Sequence, residues 1–525
     1  MSPLTLLPQL LHHTLLSHPI LTSILFLLPL LLLSLTLSSF CKPTTPKSGP
    51  KQPRLPPCPP KLPILGNLHQ LGPLPHRSLD LLSKKYGPIM LLQLGRAPTL
   101  IVSTPELARE IMKEQDHKFA TRPSLTFPRK LLYAGRDIAF APYGEYWRQA
   151  RKISVLHLLS NRRVLAYRAI REEEVSIMVD QISASSSLGP VNVSKALNTL
   201  AKDFVARVTV GKHARDEMGT DAVGELIEET ASLLGAFHWS DYVPWLAWMG
   251  AITGADSRAN KAFRDGNKFM EHVIETRKKV LEQEEEKEES NVFLDILLSL
   301  EKDLNRHFHF DKENIKAIIE DIFGAGTDST YIVMDWVMAE LVRNPEAMKK
   351  LKEEIRDVVG SRTTVTEDDL INMSYLKAVI KETLRLHPPG PLLVPRELME
   401  DTEIQGYHVP KGTRAFANIW TIGRDPEVWD SPDEFWPERF GGHDPIDFMG
   451  HDFELLPFGA GRRMCPGIQF AIPIIELAVA NLMHQFDWKL PNAMEEGEMD
   501  MMEAPGLTCR RKVKLQLLAT PCYCK

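Results

Sequence analysis

Apolar residues at three- and four-residue spacing dominate the chain, and this pattern predicts a mainly helical fold. The helical patterns run over residues 103–115, 145–182, 258–288, 311–343, 345–358, 374–386 and 466–485. Strand-like segments at residues 89–94, 99–102, 404–409 and 511–518 predict a small β region. No Gly/Ser-rich linker or internal repeat interrupts the sequence after about residue 65, so the pattern indicates one large domain.

The N-terminal residues follow a different pattern. No Asp, Glu, Lys or Arg occurs from Ser2 to Cys41, and Ile20–Phe40 is an almost unbroken apolar run of 21 residues. A helix of that length spans about 30 Å, the thickness of the hydrocarbon core of a bilayer. A signal peptide or a buried core helix is the alternative, but the run lacks a preceding basic segment and a small-residue cleavage pattern. We therefore predict a membrane anchor over residues 1–41.

A basic, proline-rich segment follows the apolar run, and we predict a hinge over residues 42–63. It contains nine prolines between Pro43 and Pro63, which disfavour helix and make a semi-rigid spacer. Its basic residues are Lys42, Lys47, Lys51, Arg54 and Lys61. The first acidic residue of the chain is Asp80. By the positive-inside rule, we expect residues 64–525 to form a cytosolic domain behind a single-pass anchor.

The charge balance excludes one class of partner. The chain has 62 Lys and Arg against 68 Asp and Glu, so it offers no basic excess for binding nucleic acid.

Its six cysteines, at positions 41, 58, 465, 509, 522 and 524, lack the paired spacing of a zinc site and are too sparse for a disulfide scaffold. We expect mostly free thiols in a reducing compartment.

The segment Pro457–Gly467 reads PFGAGRRMCPG and carries the strongest chemical signal. Cys465 directly precedes an apolar helical pattern, so backbone N–H groups and the helix dipole favour its thiolate form. Three glycines, Gly459, Gly461 and Gly467, let the backbone approach a flat macrocycle closely. The alternative interpretation is an inert core cysteine in a glycine-rich loop.

This segment resembles the haem-binding pattern F-x-x-G-x-R-x-C-x-G of the cytochrome P-450 family at every fixed position. The resemblance implies a cytochrome P-450 fold, mainly α with a small β region, as a single large haem domain behind an N-terminal transmembrane helix. It also implies that Cys465 is the axial thiolate ligand of the iron of haem b. Phe458 would shield the sulfur, Gly461 would lie against the macrocycle, and Arg463 would neutralise a propionate.

Two further segments match the family. In KETLRL, residues 381–386, Glu382 and Arg385 stand at i and i+3, which alone indicates only a surface ion pair. The later segment PERF, residues 437–440, supplies Arg439. The resemblance implies that these three residues form a buried cluster with a structural role.

The segment GAGTDST, Gly324–Thr330, lies inside a long helical pattern. A glycine inside a helix costs up to about 1 kcal/mol relative to alanine, so two of them need a reason. The resemblance implies that the helix opens here to admit dioxygen, with an acid and an alcohol that deliver protons: Asp328 is the acid, and Ser329 stands where the family usually has threonine. We expect Ser329 to serve with poorer positioning, because serine lacks the methyl group that restricts its rotamers. Small residues for helix packing are the alternative.

Three more residues match haem-propionate ligands of the family. Trp147 and Arg151, in YWRQARK, stand at i and i+4 on one helix face, and Arg396 lies in VPRE. On a neighbouring face, Arg148 and Lys152 are either redox-partner contacts or solvated surface residues.

None of the 30 glycines forms a dinucleotide-binding motif or a P-loop. Oxygen activation needs two electrons, so we expect an NADPH-cytochrome reductase as partner, beside membrane lipid. The segments FAPYGEYWRQARK and HPPGPLLVPRE resemble plant microsomal members, which implies the endoplasmic reticulum membrane and a hydrophobic small-molecule substrate: a terpenoid or alkaloid first, a phenolic next. Family substrate segments map to residues 119–140, 232–260, 318–330, 389–394 and 505–508, with Leu392, Leu393 and Leu507 expected near the haem.

Two other functions remain open at this point. A haem-thiolate isomerase or dehydratase would work without a reductase, and a haem-binding scaffold or sensor would catalyse nothing. Retention of Asp328 and Ser329 argues against the first, because such relatives tend to lose the acid and alcohol. A scaffold or sensor needs neither an apolar pocket nor a proton relay.

Overall fold

The computed structural model describes residues 53–211, 220–283, 292–304, 310–442, 446–491 and 495–522. The predicted anchor, residues 1–41, and hinge residues 42–52 lie outside the described residues. The chain divides into two compact units, Met1–Arg54 and Leu55–Lys525. Among the described residues, no helix combines the length and the apolar composition that crossing a membrane requires.

The unit Leu55–Lys525 is mainly helical, as the sequence predicts. Its α-helices, in chain order, are α1 Pro75–Tyr86, α2 Pro105–Arg109, α3 Thr126–Leu131, α4 Glu145–Ile153, α5 Asn161–Ala166, α6 Arg168–Ser186, α7 Val193–Val210, α8 Thr220–Leu234, α9 Met249–Ile252, α10 Ala255–Gln283, α11 Phe293–Leu304, α12 Lys312–Arg343, α13 Pro345–Val359, α14 Glu367–Leu370, α15 Ser374–Leu386, α16 Ile419–Ile422 and α17 Ile468–Gln485.

The described strands form three small sheets. The strands are β1 Ile89–Leu94, β2 Ala97–Val102, β3 Val191–Asn192, β4 Arg396–Glu397, β5 Thr402–Ile404, β6 Tyr407–Val409, β7 Arg414–Ala417, β8 Phe486–Lys489 and β9 Gln516–Pro521. The sheet orders are β1-β2-β7-β4, β3-β9-β8 and β5-β6. In the largest sheet β2 runs parallel to β7, and β1 and β4 are antiparallel to their neighbours.

Helix α12 forms the centre of the molecule. Asp311 caps its N-terminus by accepting hydrogen bonds from the backbone N–H groups of Glu313 and Asn314. The helix ends at Asn344, where Pro345 begins α13. It packs against α7, α8, α15 and α17, so its central turns are enclosed by other helices.

The buried cluster predicted from Glu382, Arg385 and Arg439 is confirmed. The Arg385 guanidinium donates to both carboxylate oxygens of Glu382 at 2.7 Å, and neither side chain is exposed to solvent. Arg439 Nε lies 3.1 Å from Glu382 Oε1. Arg385 also donates to the carbonyl oxygens of Gly423, Pro432 and Glu434. The cluster therefore fastens the C-terminal end of α15 to the long segment that leads to the cysteine loop.

Residues 55–63, the second half of the predicted hinge, belong to the compact unit Leu55–Lys525. The Leu91 N–H donates to the carbonyl oxygen of Pro57 at 2.9 Å. Asn67 Nδ2 donates to the carbonyl oxygen of Pro59 at 3.2 Å. Residues 55–63 are therefore tied to β1 and to the turn that precedes α1.

Several predicted elements were wrong in extent. Residues 145–182 form α4, a π-helical turn at Ser154–Leu158, α5 and part of α6, because the chain turns at Ser160 and Tyr167. Residues 404–409 are a hairpin, with Gln405 and Gly406 at positive φ (45° and 77°), and not one strand. The last strand begins at Gln516, not at residue 511. The sequence pattern missed α7, which is rich in β-branched residues that favour strands elsewhere.

Candidate functional site

The loop that carries Cys465 is fixed by its own backbone. The Cys465 N–H donates to the carbonyl oxygen of Phe458 at 2.9 Å, and Gly467 N–H points at the Cys465 sulfur, 3.4 Å away. Helix α17 begins one residue later, at Ile468. The predicted arrangement of a cysteine at a helix N-terminus is therefore present.

The Cys465 side chain reaches open space although it lies deep in the protein. Its side chain is exposed, yet burial raises the pKa of its thiol, opposed by the Gly467 N–H and the charge of Arg151. An internal cavity would account for both the exposure of the side chain and the effect of burial on its pKa, because the sulfur would face open space inside the protein. The expectation that backbone dipoles alone favour the thiolate is corrected: burial outweighs them, so stabilising the thiolate requires a further positive charge such as a metal ion.

Helix α12 shows the same combination of enclosure and open space. Ala325 is exposed, although Ile322, Phe323 and Thr327 beside it are buried. A helix that is enclosed by other helices can expose a mid-helix alanine only toward an internal cavity. From their exposure we infer that the thiol of Cys465 and the side chain of Ala325 each line internal space.

Gly461 is required by packing within the protein. Its φ is +69°, and a Cβ atom would lie 2.1 Å from the carbonyl oxygen of Met112 and 2.8 Å from Asp116 Oδ1. Close approach of the segment 112–116 therefore requires glycine here by itself, and the expected approach of a macrocycle stays a prediction. Phe458 is half-buried and packs edge-on against Phe448, with ring centroids 5.3 Å apart.

Four arginines converge beside this loop. Arg463 donates to the carbonyl oxygens of Ala120, Ile138 and Ala141, and its guanidinium lies 4.1 Å from the centre of the Trp147 ring. Arg396 contacts Asp116 at 3.0 Å and the carbonyl oxygen of Ala460 at 2.9 Å. Arg151 donates to the carbonyl oxygen of Met464 at 2.5 Å. Arg122 donates to the carbonyl oxygens of Ala139, Val394 and Pro395.

The positive charges of these arginines lie close together in the protein interior and repel one another. Burial, then the charges of Arg463 and Arg396, lowers the pKa of Arg122 well below its usual value. Burial and the charges of Arg396 and Arg151 lower the pKa of Arg463 to about 9, although Asp137 and Asp116 oppose this. Among the described residues, the hydrogen bonds of Arg122 and Arg463 go to backbone carbonyls and not to carboxylates. The arrangement therefore suits a ligand that carries carboxylates.

The carboxylates nearest this arginine cluster (Arg122, Arg151, Arg396 and Arg463) do not neutralise it. Asp116 is shared between Arg396 and Arg462, at 3.0 and 2.8 Å. Burial raises the pKa of Asp137 to about 6, in spite of hydrogen bonds from backbone N–H groups and the charges of Arg463 and Arg122. One of its oxygens, Oδ1, has no hydrogen-bond partner among the described residues. Four guanidinium groups thus face two carboxyl groups.

The sequence-predicted propionate ligands are all present in this cluster, but the indole of Trp147 has another partner. Its Nε1–H donates to the carbonyl oxygen of Ile138 at 3.0 Å. The Arg463 guanidinium lies over the Trp147 ring, so the ring helps to hold that guanidinium in place. Arg122 and Asp137 were missed by the sequence reasoning. The segment 119–140 holds five charged residues, Arg122, Arg129, Lys130, Arg136 and Asp137, and the sequence does not mark which of them become buried.

The acid and alcohol of α12 lie on different sides of the helix. Asp328 Oδ2 accepts a hydrogen bond from Thr508 Oγ1 at 2.6 Å, and burial raises the pKa of this carboxyl. Ser329 Oγ donates to the carbonyl oxygen of Ala325, at 2.7 Å, one turn earlier. Helix α12 continues through this region without interruption, so the expected opening is not seen. A Cβ at Gly326 would lie 3.4 Å from Val205, whereas Gly324 faces open space.

Four of the five predicted substrate segments contribute to one apolar cluster, whereas the apolar residues of segment 318–330 pack in the main core. The buried members of the apolar cluster are Phe127, Leu131, Leu132, Phe140, Leu233, Ala259 and Ala262, and partly exposed Val394 and Leu507 pack against them. Leu393 contributes to a neighbouring cluster beside Gly459. Leu392 was placed wrongly: it packs on the cluster of β1 and β2, with Met90 and Ile101. Val394, the last residue of the predicted segment 389–394, packs on the apolar cluster in its place.

Comparison with known proteins settles the family. The family model described as cytochrome P-450 matches residues 56–517. The chain belongs to the cytochrome P-450 family. It is 47% identical over 495 residues to cytochrome P-450 736A117 of Prunus mume, covering 94% of each chain. It is 45% identical over 503 residues to norfluorocurarine oxidase of Strychnos sp, covering 94% of this chain and 97% of that protein.

The solved structures show the same fold. A zebrafish cytochrome P-450 solved with progesterone superposes with a TM-score of 0.72 at 24% sequence identity, covering 85% of this chain and 99% of that one. The chain is therefore a cytochrome P-450 monooxygenase, and such proteins bind haem b through a cysteine thiolate. The cavity-facing sulfur and the arginine cluster fit this cofactor, since haem b carries iron and two propionates.

The arginine cluster generates a prediction. Arg122→Gln should weaken haem binding about tenfold or more, because it removes a charged donor from the set that would face the propionates. The rate of haem loss is measured as the rate of haem transfer from the ferric protein to excess apomyoglobin. Arg129→Gln, an exposed arginine on α3, is the matched control. Equal transfer rates for both variants and the parent would remove Arg122 from the haem site.

Proposed function

We propose that this cytochrome P-450 is an endoplasmic-reticulum enzyme that ligates the iron of haem b through Cys465. It hydroxylates a hydrophobic plant specialised metabolite and takes electrons from an NADPH-cytochrome reductase. The observation that carries the proposal is the exposed Cys465 thiol beside four guanidinium groups, of which those of Arg122, Arg396 and Arg463 are buried and that of Arg151 is partly buried. Alone among the cysteines in the described residues, Cys465 combines a helix N-terminus, an open cavity and these charges.

The haem would lie with its carboxylates toward Arg122, Arg396 and Arg463. Arg151 and the Trp147 ring would hold this edge by fixing Met464 and the Arg463 guanidinium. Phe458, packed against Phe448, would cover the approach to the sulfur, and Gly461 would keep the loop against residues 112–116. When bound, haem activates dioxygen, and the electron donation of the thiolate favours O–O cleavage.

The chain's own contribution to the chemistry is proton supply and exclusion of water. Asp328 holds a proton more readily than an exposed aspartate because burial raises its pKa. Ser329 is anchored by its bond to Ala325, the residue exposed to the cavity. We assign Asp328 as the acid and Ser329 as the hydroxyl that orders a proton path to the cavity. Their retention favours a monooxygenase over an isomerase that needs no reductase.

Electrons would enter on the face that carries the cysteine loop. Arg148 and Lys152 are exposed on α4, and Arg462 is half exposed beside Cys465. These cations suit an acidic docking surface on a reductase. Arg148 also pairs with Glu145 at 2.6 Å, so part of its charge is already matched.

The substrate would bind against the apolar cluster of α3, α8, α10 and the loops at Val394 and Leu507. The aromatic and aliphatic side chains of this cluster suit a bulky terpenoid or alkaloid skeleton. The name of the Strychnos relative, norfluorocurarine oxidase, supports an alkaloid. Mass spectrometry of reductase-containing microsomes incubated with terpenoid, alkaloid and phenolic libraries identifies the product. Turnover of polar substrates alone would refute this class.

Cys465→His tests the proposed ligand. The ferrous carbon monoxide complex of the parent should show the strongly red-shifted Soret band of a thiolate-ligated haem, reached with NADPH and reductase. The band should vanish in Cys465→His and persist in Cys58→Ser, since Cys58 is an exposed thiol outside the cavity. A red-shifted band in Cys465→His would overturn the assignment.

Ser329 should support coupling, though less well than threonine would. We predict that Ser329→Ala lowers the fraction of NADPH converted to product severalfold, and that Ser329→Thr raises it, because a methyl group restricts the rotamer. Ser185→Ala is the control, because Ser185 makes the same hydrogen bond to a carbonyl one turn earlier, on α6. The ratio of product to NADPH consumed is the readout. Unchanged coupling in Ser329→Ala would exclude a relay role.

The unit Leu55–Lys525 should bind membranes without the predicted N-terminal anchor, through an exposed apolar segment. Trp245, Trp248 and Ile252 are 47%, 55% and 71% exposed, in one short segment, and tryptophan favours the bilayer interface. A chain without residues 1–41 should still sediment with phospholipid vesicles, and Trp245→Ser with Trp248→Ser should reduce this several-fold. Leu165→Ser, an exposed apolar residue on α5, is the control. Equal binding by both variants would remove the segment from the contact surface.

A further inference from the structure

We propose that Thr508 is a positioning residue for Asp328: it holds the proton-donating carboxyl in place and keeps it able to release its proton. The inference rests on the proposed role of Asp328 and adds a residue from the C-terminal segment. Thr508 is 180 positions from Asp328 in the sequence, so only the fold joins them.

The side chains of Thr508 and Asp328 form a direct hydrogen bond in which the threonine hydroxyl is the donor. Thr508 Oγ1 lies 2.6 Å from Asp328 Oδ2. A hydroxyl that donates to a carboxylate makes a charge-assisted hydrogen bond, which is stronger than its bond to a neutral acid. The contact therefore stabilises Asp328 after it has lost its proton.

The backbone around Thr508 is held on two sides. The next residue, Cys509, donates its N–H to the carbonyl oxygen of Pro389 at 2.8 Å. Its own carbonyl oxygen accepts a hydrogen bond from Trp336 Nε1, on α12, at 3.2 Å. These bonds fasten the segment to the same helix that carries Asp328. The Thr508 hydroxyl is thus presented to Asp328 by a fixed backbone and not by a free loop.

The segment also packs against the end of α8 without a gap. A Cβ on Gly235, directly after α8, would lie 2.1 Å from the backbone nitrogen of Leu507 and 2.7 Å from the carbonyl carbon of Gly506. Only glycine permits this approach. Because α8 contributes to the apolar cluster proposed for substrate, the Thr508 segment connects that cluster to Asp328.

Charged groups on the solvent side face the same carboxyl. Glu228, on α8, pairs with Arg510 at 2.8 Å and lies 3.7 Å from Lys514. Tyr331 faces Asp328 from the same helix. Burial raises the pKa of Asp328, the Thr508 hydrogen bond lowers it, and weaker effects come from Arg510, Glu228 and Lys514. Thr508 is the largest influence that favours the ionised form.

The proposed step conserves protons. Asp328 releases one proton toward the cavity, and its O–H bond breaks while the carboxylate that remains accepts the Thr508 hydrogen bond. One proton from bulk water then restores the acid. Without the hydroxyl, the ionised carboxyl would be buried without its nearest donor, so proton release would become harder.

The experiment compares Thr508→Val, Thr508→Ser, Asp328→Asn and the double variant Thr508→Val with Asp328→Asn in haem-containing protein. Thr209→Val is the control, because Thr209 on α7 is buried and its hydroxyl has no partner among the described residues. Two readouts are taken between about pH 5 and pH 8: product formed per NADPH, and the midpoint of thermal unfolding without turnover.

We expect Thr508→Val to lower coupling about three- to tenfold, with the decline most severe at low pH, and Thr508→Ser to restore it. The pKa of Asp328 is raised in the folded state, so its contribution to stability is lost as pH rises through that value. Removing the hydrogen bond penalises the ionised form. The deficit in unfolding midpoint of Thr508→Val should therefore grow as pH rises, and should lose this pH dependence in the Asp328→Asn background.

The two assignments fail separately. A pH-independent deficit in midpoint, or a deficit that persists unchanged with Asp328→Asn, would reduce Thr508 to a packing residue and overturn the inference. Normal coupling in Asp328→Asn would instead overturn the proposed role of Asp328, whatever the behaviour of Thr508→Val. A change in Thr209→Val as large as that in Thr508→Val would show a general effect of losing a buried hydroxyl, and would also overturn the inference.

Discussion

An excess of positive charge beside the cysteine loop is the constraint on which the remaining architecture depends. Arg122 and Arg463 are buried, and within the described residues their guanidinium groups bond to backbone carbonyls rather than to carboxylates. Taking a charge out of water without a counter-ion is costly. A protein can maintain such a cluster when a ligand with carboxylates completes it, and haem b brings two of them next to the iron that Cys465 would hold.

The other parts of the fold keep this arrangement in place from several sides. The ion pairs of Glu382 with Arg385 and Arg439 fix the segment that leads into the cysteine loop, without facing the cavity. Asp116 ties the strand residue Arg396 and the loop residue Arg462 to one another. Helix α12 runs between the surrounding helices and exposes Ala325 in its central turns. Binding site and scaffold are therefore connected through buried charge as much as through apolar packing.

The sequence predicted those parts of the site whose chemistry is local. The motif around Cys465, the helix bounds of α12, α13 and α15, and the matching residues of the buried ion-pair cluster all follow from spacing within short segments. Arg122 and Thr508 could not be predicted in this way, because their partners come from chain segments that only folding brings together. The same reason explains Leu392: Leu392, Leu393 and Val394 pack on three different apolar clusters, and the pattern alone does not reveal which residue joins which cluster. The break of residues 145–182 into separate helices depends on turns at Ser160 and Tyr167, whose local sequence does not forbid a helix.

The most direct measurement is an anomalous difference map, collected at the iron edge from crystals of the protein purified with its haem. The account predicts one iron peak at bonding distance from the sulfur of Cys465, with the carboxylates of the porphyrin against Arg122 and Arg463. An iron peak bound by any other side chain, or propionates directed away from these arginines, would contradict it.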